Sequence, residues 1–270
     1  MGVDLPGLLA DLAAETQVTE DLLVPLGAAA WDRATPAPGW AVRDQVSHLA
    51  YFDDAATLAA ADPDRFRADA AGLMALGSAF PDEIARRYRG MPAGELLAWF
   101  RRARGGFVSV FRAIDPRARL PWYGPEMSAA SSVTARLMET WAHGQDIADA
   151  LDQRGARREP TARLRHVAHL GVAAFGFSFR VNGRELPAAP VRVELAAPGG
   201  GTWAWGPDGA GDTVTGPALD FCLAVTQRRH VDDTALRITG PVAAEWMGIA
   251  QAFAGPPGPG RPPGAFGKGK

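Results

Sequence analysis

Five histidines, one cysteine and two lysines set narrow limits on the chemistry open to this chain of 270 residues. The lysines are Lys268 and Lys270, at the very end, so amine-based covalent chemistry is excluded from the folded body. Cys222 lies between Phe221 and Leu223 on an apolar helical stretch and reads as inert core. The histidines are His48, His143, His166, His169 and His230. Glu139 and His143 stand four apart on a predicted helix, so they project from one face with Cβ atoms roughly 5–6 Å apart, close enough to share a metal ion. The same spacing also suits an ordinary hydrogen-bonded pair. That helix carries Val133, Leu137, Met138, Trp141, Ile147 and Leu151, apolar nearly all round, which puts the Glu and His face inside, where a carboxylate needs a partner. His48 lies among Val46, Leu49, Tyr51 and Phe52, again a mostly apolar setting. Two histidines and a glutamate would make a three-ligand site with open positions, as catalytic zinc and similar divalent ions use. Neither HExxH nor paired CxxC is present.

The elements that must position these residues are helices. From Leu5 to Ala29 apolar residues recur at three- and four-residue steps, with Asp4 as cap and Pro6 in the first turn. Thr35-Pro36-Ala37-Pro38-Gly39 forbids continued helix and makes a fixed corner ending in Trp40. A second helix runs from Val42 to about Ala61. Further helical patterns span Pro81–Tyr88, Ala93–Ile114 and Ala129–Leu151, with Pro92 and Pro116 as breakers. Residues 1–155 thus read as an up-and-down bundle.

Past the polar linker Arg154–Pro160 the pattern changes. A helix over Thr161–Phe177 leads to Val191–Leu195, which alternates as a half-buried strand does, and Thr202–Trp205 is its hairpin partner across a glycine turn. Trp203 and Trp205 alternate on that strand, as sheet packing or as a contact to substrate. A helix at Pro217–Gln227, a strand at Ala235–Thr239 and a helix at Val242–Phe253 complete a small α+β domain over 160–254. Residues 255–270, rich in proline and glycine, have almost nothing to bury and read as a disordered tail.

Composition narrows the function classes. Lys+Arg 28 against Asp+Glu 30 gives a net charge of −2, and with no lysine in the folded body no nucleic-acid partner is expected. A single cysteine suits a reducing compartment. The N-terminus has acidic residues where a signal peptide needs basic ones, and no run approaches the roughly 18 apolar residues of a membrane span. A cytoplasmic protein with no membrane partner is expected.

Two segments together carry a resemblance. Thr35-Pro36-Ala37-Pro38-Gly39-Trp40-Ala41-Val42-Arg43-Asp44-Gln45-Val46-Ser47-His48-Leu49, followed by Glu139-Thr140-Trp141-Ala142-His143-Gly144-Gln145-Asp146-Ile147, resembles the mycothiol-dependent maleylpyruvate isomerase family, within the DinB-like superfamily of metal-binding four-helix bundles. The resemblance implies an N-terminal DinB-like bundle whose metal ligands are His48, Glu139 and His143, most often on zinc, with mycothiol or a similar low-molecular-weight thiol as cosubstrate. It also implies a C-terminal α+β domain related to sterol-carrier folds. There Gly216–Asp220, Arg228-Arg229 and Leu236–Gly240 are similar in outline, while Thr161–Phe177 with His166 and His169 is more similar to a metal-binding subgroup.

A divalent ion with one glutamate and two neutral histidines keeps a charge of about +1, which a thiolate would neutralise. The thiolate can then add to an electrophilic carbon of a small substrate. Expelling the thiol after rotation is cis–trans isomerisation, and keeping it is S-conjugation. Arg228, Arg229 or Arg237 is a candidate to hold a substrate carboxylate by a bidentate pair, the plain alternative for the Arg228-Arg229-His230 run being a helix C-terminus complemented by cations. Asp53, Asp54 or Asp146 is a candidate acceptor for an imidazole N–H. His166 and His169, three apart, read as a partly solvated helix face. A non-catalytic metal-binding carrier or sensor, with an apolar ligand in the second domain, is the alternative, and a water-activating hydrolase ranks below both.

Overall fold

The computed structural model describes residues 4–151 and 158–266, so the linker residues 152–157 and the tail residues 267–270 lie outside the described residues. The chain divides into two compact units, 1–157 and 158–270.

The first unit is helical. Helix α1 (Leu5–Leu23) starts at Asp4, whose side chain accepts from Gly7 N at 3.0 Å. It ends at Leu23 rather than near Ala29, because Pro25 has no N–H donor to continue the ladder. A short 3-10 turn (Ala28–Asp32) leads into the proline corner and then α2 (Val42–Ala61). Two helices follow, α3 (Pro63–Met74) and α4 (Phe80–Tyr88). Helix α3 was not expected; Asp62 caps it by accepting from Arg65 N at 3.1 Å, and Pro63 opens its first turn. Then come α5 (Ala93–Phe111), the two-residue strands β1 (Arg119–Leu120) and β2 (Met127–Ser128), and α6 (Ala129–Leu151). The four long helices form the bundle, with α2 packed on α5 and α6, and α1 on α6. Leu23, Val46, Leu49, Leu96, Phe100 and Ile147 share one core drawn from all four. Helix α6 is buried on nearly every side, as its apolar run requires. No helix among the described residues is long and apolar enough to cross a membrane.

The second unit is α+β. The single helix expected over Thr161–Phe177 is two, α7 (Leu164–Ala173) and α8 (Phe175–Val181), broken where Ala174 leaves helical geometry with ψ near 3°. Strands β3 (Val191–Ala196), β4 (Thr202–Trp205), β5 (Asp212–Pro217) and β6 (Arg237–Thr239) form a sheet in the order β4-β3-β5-β6. Its β3–β5 pair is parallel and the other two are antiparallel. Helices α9 (Ala218–Val225) and α10 (Pro241–Met247) complete the unit, α10 stopping at Gly248, short of the expected Phe253. Entry into α10 demands glycine: Gly240 has φ of 87°, and a Cβ there would fall 2.3 Å from Asp212 Oδ1, the atom that caps Ala243 N.

The proline- and glycine-rich tail differs from its expectation over its described part. Gly264 N donates to both Asp233 oxygens at 2.8 and 3.0 Å, and Phe266 lies under the Arg229 guanidinium at 3.8 Å. An acid and a cation on the domain supply the partners that the tail's own composition lacks.

Candidate metal centre

The two ligand-bearing helices bring their chemistry face to face. His48 sits on α2 and Glu139 and His143 on α6. Their candidate ligand atoms all lie within 4.8 Å of one another, the one such group of three His, Cys, Asp or Glu among the described residues. Glu139 Oε2 is 2.9 Å from His143 Nε2 and 3.5 Å from His48 Nε2. All three side chains are largely enclosed, at 22%, 10% and 13% exposure for Glu139, His143 and His48. Trp40 and Phe52 wall the imidazoles, Trp40 stacking on His143 at 6.0 Å and Phe52 lying 4.5 Å from His48.

This packing sets the charge states. Burial first, then the neighbouring His143, push His48 down to about 4 against the opposite pull of Glu139, so its ring is neutral at pH 7. Burial alone would push the Glu139 carboxyl up, but hydrogen bonds and charge from His143 and His48 outweigh it and hold Glu139 well below the usual carboxylate range. His48 Nδ1 is buried with no hydrogen-bond partner among the described residues.

The outward-facing nitrogen of His143 belongs to a longer chain of contacts. Its Nδ1 meets Gln45 Oε1, Gln45 Nε2 donates to Thr35 Oγ1 at 2.8 Å, and Thr35 Oγ1 donates to the Trp40 carbonyl at 2.9 Å. Gln45 is fully buried. The corner itself is latched from outside: Asp44 accepts from Ala41 N at 2.8 Å and from Arg89 Nε at 3.1 Å, and Arg89 donates on to the Gly39 carbonyl at 2.7 Å. Gln45, not an aspartate, is therefore the imidazole's partner here. Asp53 is bound to Arg104 and Arg136, and Asp54 accepts from Trp99 Nε1 at 2.6 Å. The sequence signal for Gln45 was its place one helical turn before His48 on α2, on the face that meets α6.

A family model described as the mycothiol maleylpyruvate isomerase N-terminal domain matches residues 12–148, just over half of the chain, including both ligand segments. The chain belongs to this family. A second model, described as wyosine base formation, matches residues 187–239, which hold β3 to β6. Uncharacterized proteins of two Mycobacterium tuberculosis strains, CDC 1551 and H37Rv, are each 45% identical over 257 residues, covering 95% of this chain and 99% of theirs. Crystal structures of a mycothiol-dependent maleylpyruvate isomerase and of a histidine-to-alanine mutant of it share the fold. Each has a TM-score of 0.56 at 14% identity, covering 84% of this chain and 90% of that one.

Asp146 is buried on α6, and the other candidates fall in the second unit. Arg229 is buried between its own backbone neighbours and Phe266, and Arg228 Nη1 donates to the Thr226 carbonyl at 2.7 Å. Arg237 is exposed on β6. His169 is exposed on α7 and His166 half-buried, and among the described residues no third ligand joins them. Cys222 is buried with Sγ 3.4 Å from the Leu164 carbonyl, and burial pushes its thiol far up, which makes it a poor nucleophile.

Proposed function

We propose that the protein is a divalent-metal-dependent enzyme, with zinc the expected ion. It would use mycothiol or a similar low-molecular-weight thiol to isomerise or S-conjugate a small, carboxylate-bearing electrophile. One observation carries the reading: a carboxylate held ionised and two imidazole nitrogens converge in an enclosed space. The donor set fits a divalent cation. With Gln45 accepting the Nδ1 proton, His143 turns Nε2 toward the Glu139 carboxylate 2.9 Å away, so the two groups could share a cation between them. His48 adds a third neutral donor. When bound there, a divalent ion supplies Lewis acidity that favours the thiolate over the thiol at neutral pH.

The chain's own residues do the rest. His48, Glu139 and His143 would hold the ion. Trp40 and Phe52 exclude water on the flanks. Arg237 is exposed and cationic on β6, whereas Arg229, enclosed by Phe266, serves the packing of the tail. A thiolate adding to an electrophilic carbon and later leaving would return the substrate isomerised. A second reading, a non-catalytic carrier, draws support from an apolar groove in the second unit lined by Val172, Phe175, Leu186, Val193 and Trp246.

Elemental mass spectrometry of tagless protein tests this, followed by calorimetric titration with mycothiol. Near-stoichiometric zinc or another divalent metal that vanishes in His143→Ala, with thiol heat only in the loaded form, is expected. Metal without thiol binding favours the carrier. Absence of metal after reconstitution overturns the reading.

A further inference from the structure

We infer that Thr35 and Gln45 are positioning residues that lock the proton of His143 onto Nδ1, so that Nε2 is the nitrogen presented to Glu139 and His48. The inference follows from one end of a hydrogen-bond chain. The Trp40 carbonyl can only accept. It takes the Thr35 hydroxyl hydrogen at 2.9 Å, and it also takes Thr35 N–H at 2.8 Å. With its hydrogen spent, Thr35 Oγ1 can only accept from the amide 2.8 Å away, which assigns that amide atom as Gln45 Nε2. The other amide atom facing His143 is then Oε1, an acceptor, and His143 Nδ1 must be the donor. Each choice is forced by the one before it, and the chain begins at a backbone group whose role no rotation can change. Burial strengthens the constraint: Gln45 is fully buried, Thr35 is 9% exposed, and the amide has no water-facing alternative.

This gives the proline corner a function beyond ending a helix. The Thr35–Trp40 loop closes back on itself so that its last carbonyl meets its first side chain, and the Trp40 ring that follows stacks on the imidazole the relay orients. The same loop therefore sets both the tautomer and the tilt of His143.

The consequence for metal binding rests on the reading above, but the tautomer does not, and the experiment separates them. Long-range proton–nitrogen correlation spectra of ring-labelled, metal-free protein should show His143 Nδ1 carrying hydrogen, whatever the state of Nε2. That signal should be lost in Gln45→Leu and weakened in Thr35→Val, where the amide loses its anchor. Zinc affinity, read by competition with a chromophoric chelator, should fall about 10- to 100-fold in Gln45→Leu. In Gln45→Glu, which keeps the accepting oxygen, it should stay close to wild type. A purely space-filling role would make Leu the better replacement and Glu the worse one. An unprotonated Nδ1 in the wild type, or Gln45→Leu binding zinc as the wild type does, overturns the inference. If Gln45→Leu does not fold, the Thr35→Val spectrum and the Gln45→Glu affinity decide it. If the wild type takes up no zinc, the metal reading fails while the Nδ1 signal still settles the relay.

Discussion

Two buried clusters of ionisable groups lie side by side in the helical bundle, and they are satisfied to different degrees. Asp53, five residues after His48 on α2, receives Arg104 Nε at 2.7 Å and Arg136 Nε at 2.9 Å. Arg104 also donates to Thr16 and Thr140, at 2.7 and 2.9 Å, and Arg136 to the Leu49 carbonyl at 3.0 Å. All three charged side chains are at most 6% exposed. Donors meet acceptors throughout, across four helices, so the cluster is closed. Beside it, a single carboxylate, Glu139, faces the two imidazoles of His143 and His48, and His48 Nδ1 has no hydrogen-bond partner among the described residues. The same bundle thus satisfies one buried cluster fully and leaves the other with an unpartnered nitrogen, which suits the proposed ion.

The largest effect should come from breaking the closed cluster. Asp53→Asn keeps the shape but leaves two buried guanidiniums without their carboxylate, a change that costs about 3–5 kcal/mol when a buried pair is broken. Urea unfolding followed by circular dichroism measures it. A loss under about 1 kcal/mol would mean that the arginines find other acceptors and that the contrast between the clusters is false.

Acid should act on the open cluster next. The His48 imidazole has its folded value lowered from 6.5 to about 4, so between those values the unfolded chain binds the extra proton and the folded one does not. Stability therefore rises with pH across that window and is lost as pH falls from about 6.5 to about 4. The amount is on the order of 3 kcal/mol for metal-free protein. Glu139, lowered well below its ordinary value, adds a loss of the same sign at still lower pH. His48→Gln should flatten the upper part of this profile; an unchanged slope would place the titration elsewhere.

A smaller effect tests the latch on the corner. Asp44→Ala removes the hydrogen bond to Ala41 N at the start of α2 and the Arg89 pair, at a cost of about 1 kcal/mol. Zinc affinity should fall with it if corner and relay are one device, and should hold if they are separate.

Much of this contrast could be read before the fold was known, and the limits have physical causes. The spacing of Glu139 and His143 put them on one face of α6, and the apolar surroundings of His48 placed it inside, because helical period and burial are local properties. Strands β3 and β4 were legible for the same reason. Strand β5 was not: Asp212–Pro217 offers Val214 as its only buried apolar residue and pairs in parallel with β3, a contact distant in sequence. Helix α3 had a stripe of Phe66, Ala70 and Leu73 after Asp62-Pro63, diluted by four charged residues in its first seven. Gln45 escaped because an amide announces no chemistry alone; its role exists only once Thr35 and His143 are brought to either side of it.

The smallest expected effect on stability is the sharpest test of the open cluster. In metal-free protein Glu139→Gln removes a buried negative charge and its desolvation cost. The amide that replaces it carries N–H groups that a neutral His143 Nε2, 2.9 Å from that position, can accept. The ion pair thus becomes a neutral hydrogen bond, the attraction lost is offset by the desolvation cost removed, and unfolding should shift by no more than about 0.5 kcal/mol. Zinc binding should nevertheless collapse, since the amide brings no charge to balance the ion. Asp53→Asn is the same chemical change on the neighbouring cluster and is expected to do the reverse, unfolding the bundle because every partner of the carboxylate there is a donor. Equal destabilisation by the two substitutions would show that Glu139 is as fully satisfied by its histidines as Asp53 is by its arginines, and that nothing about its surroundings calls for a cation.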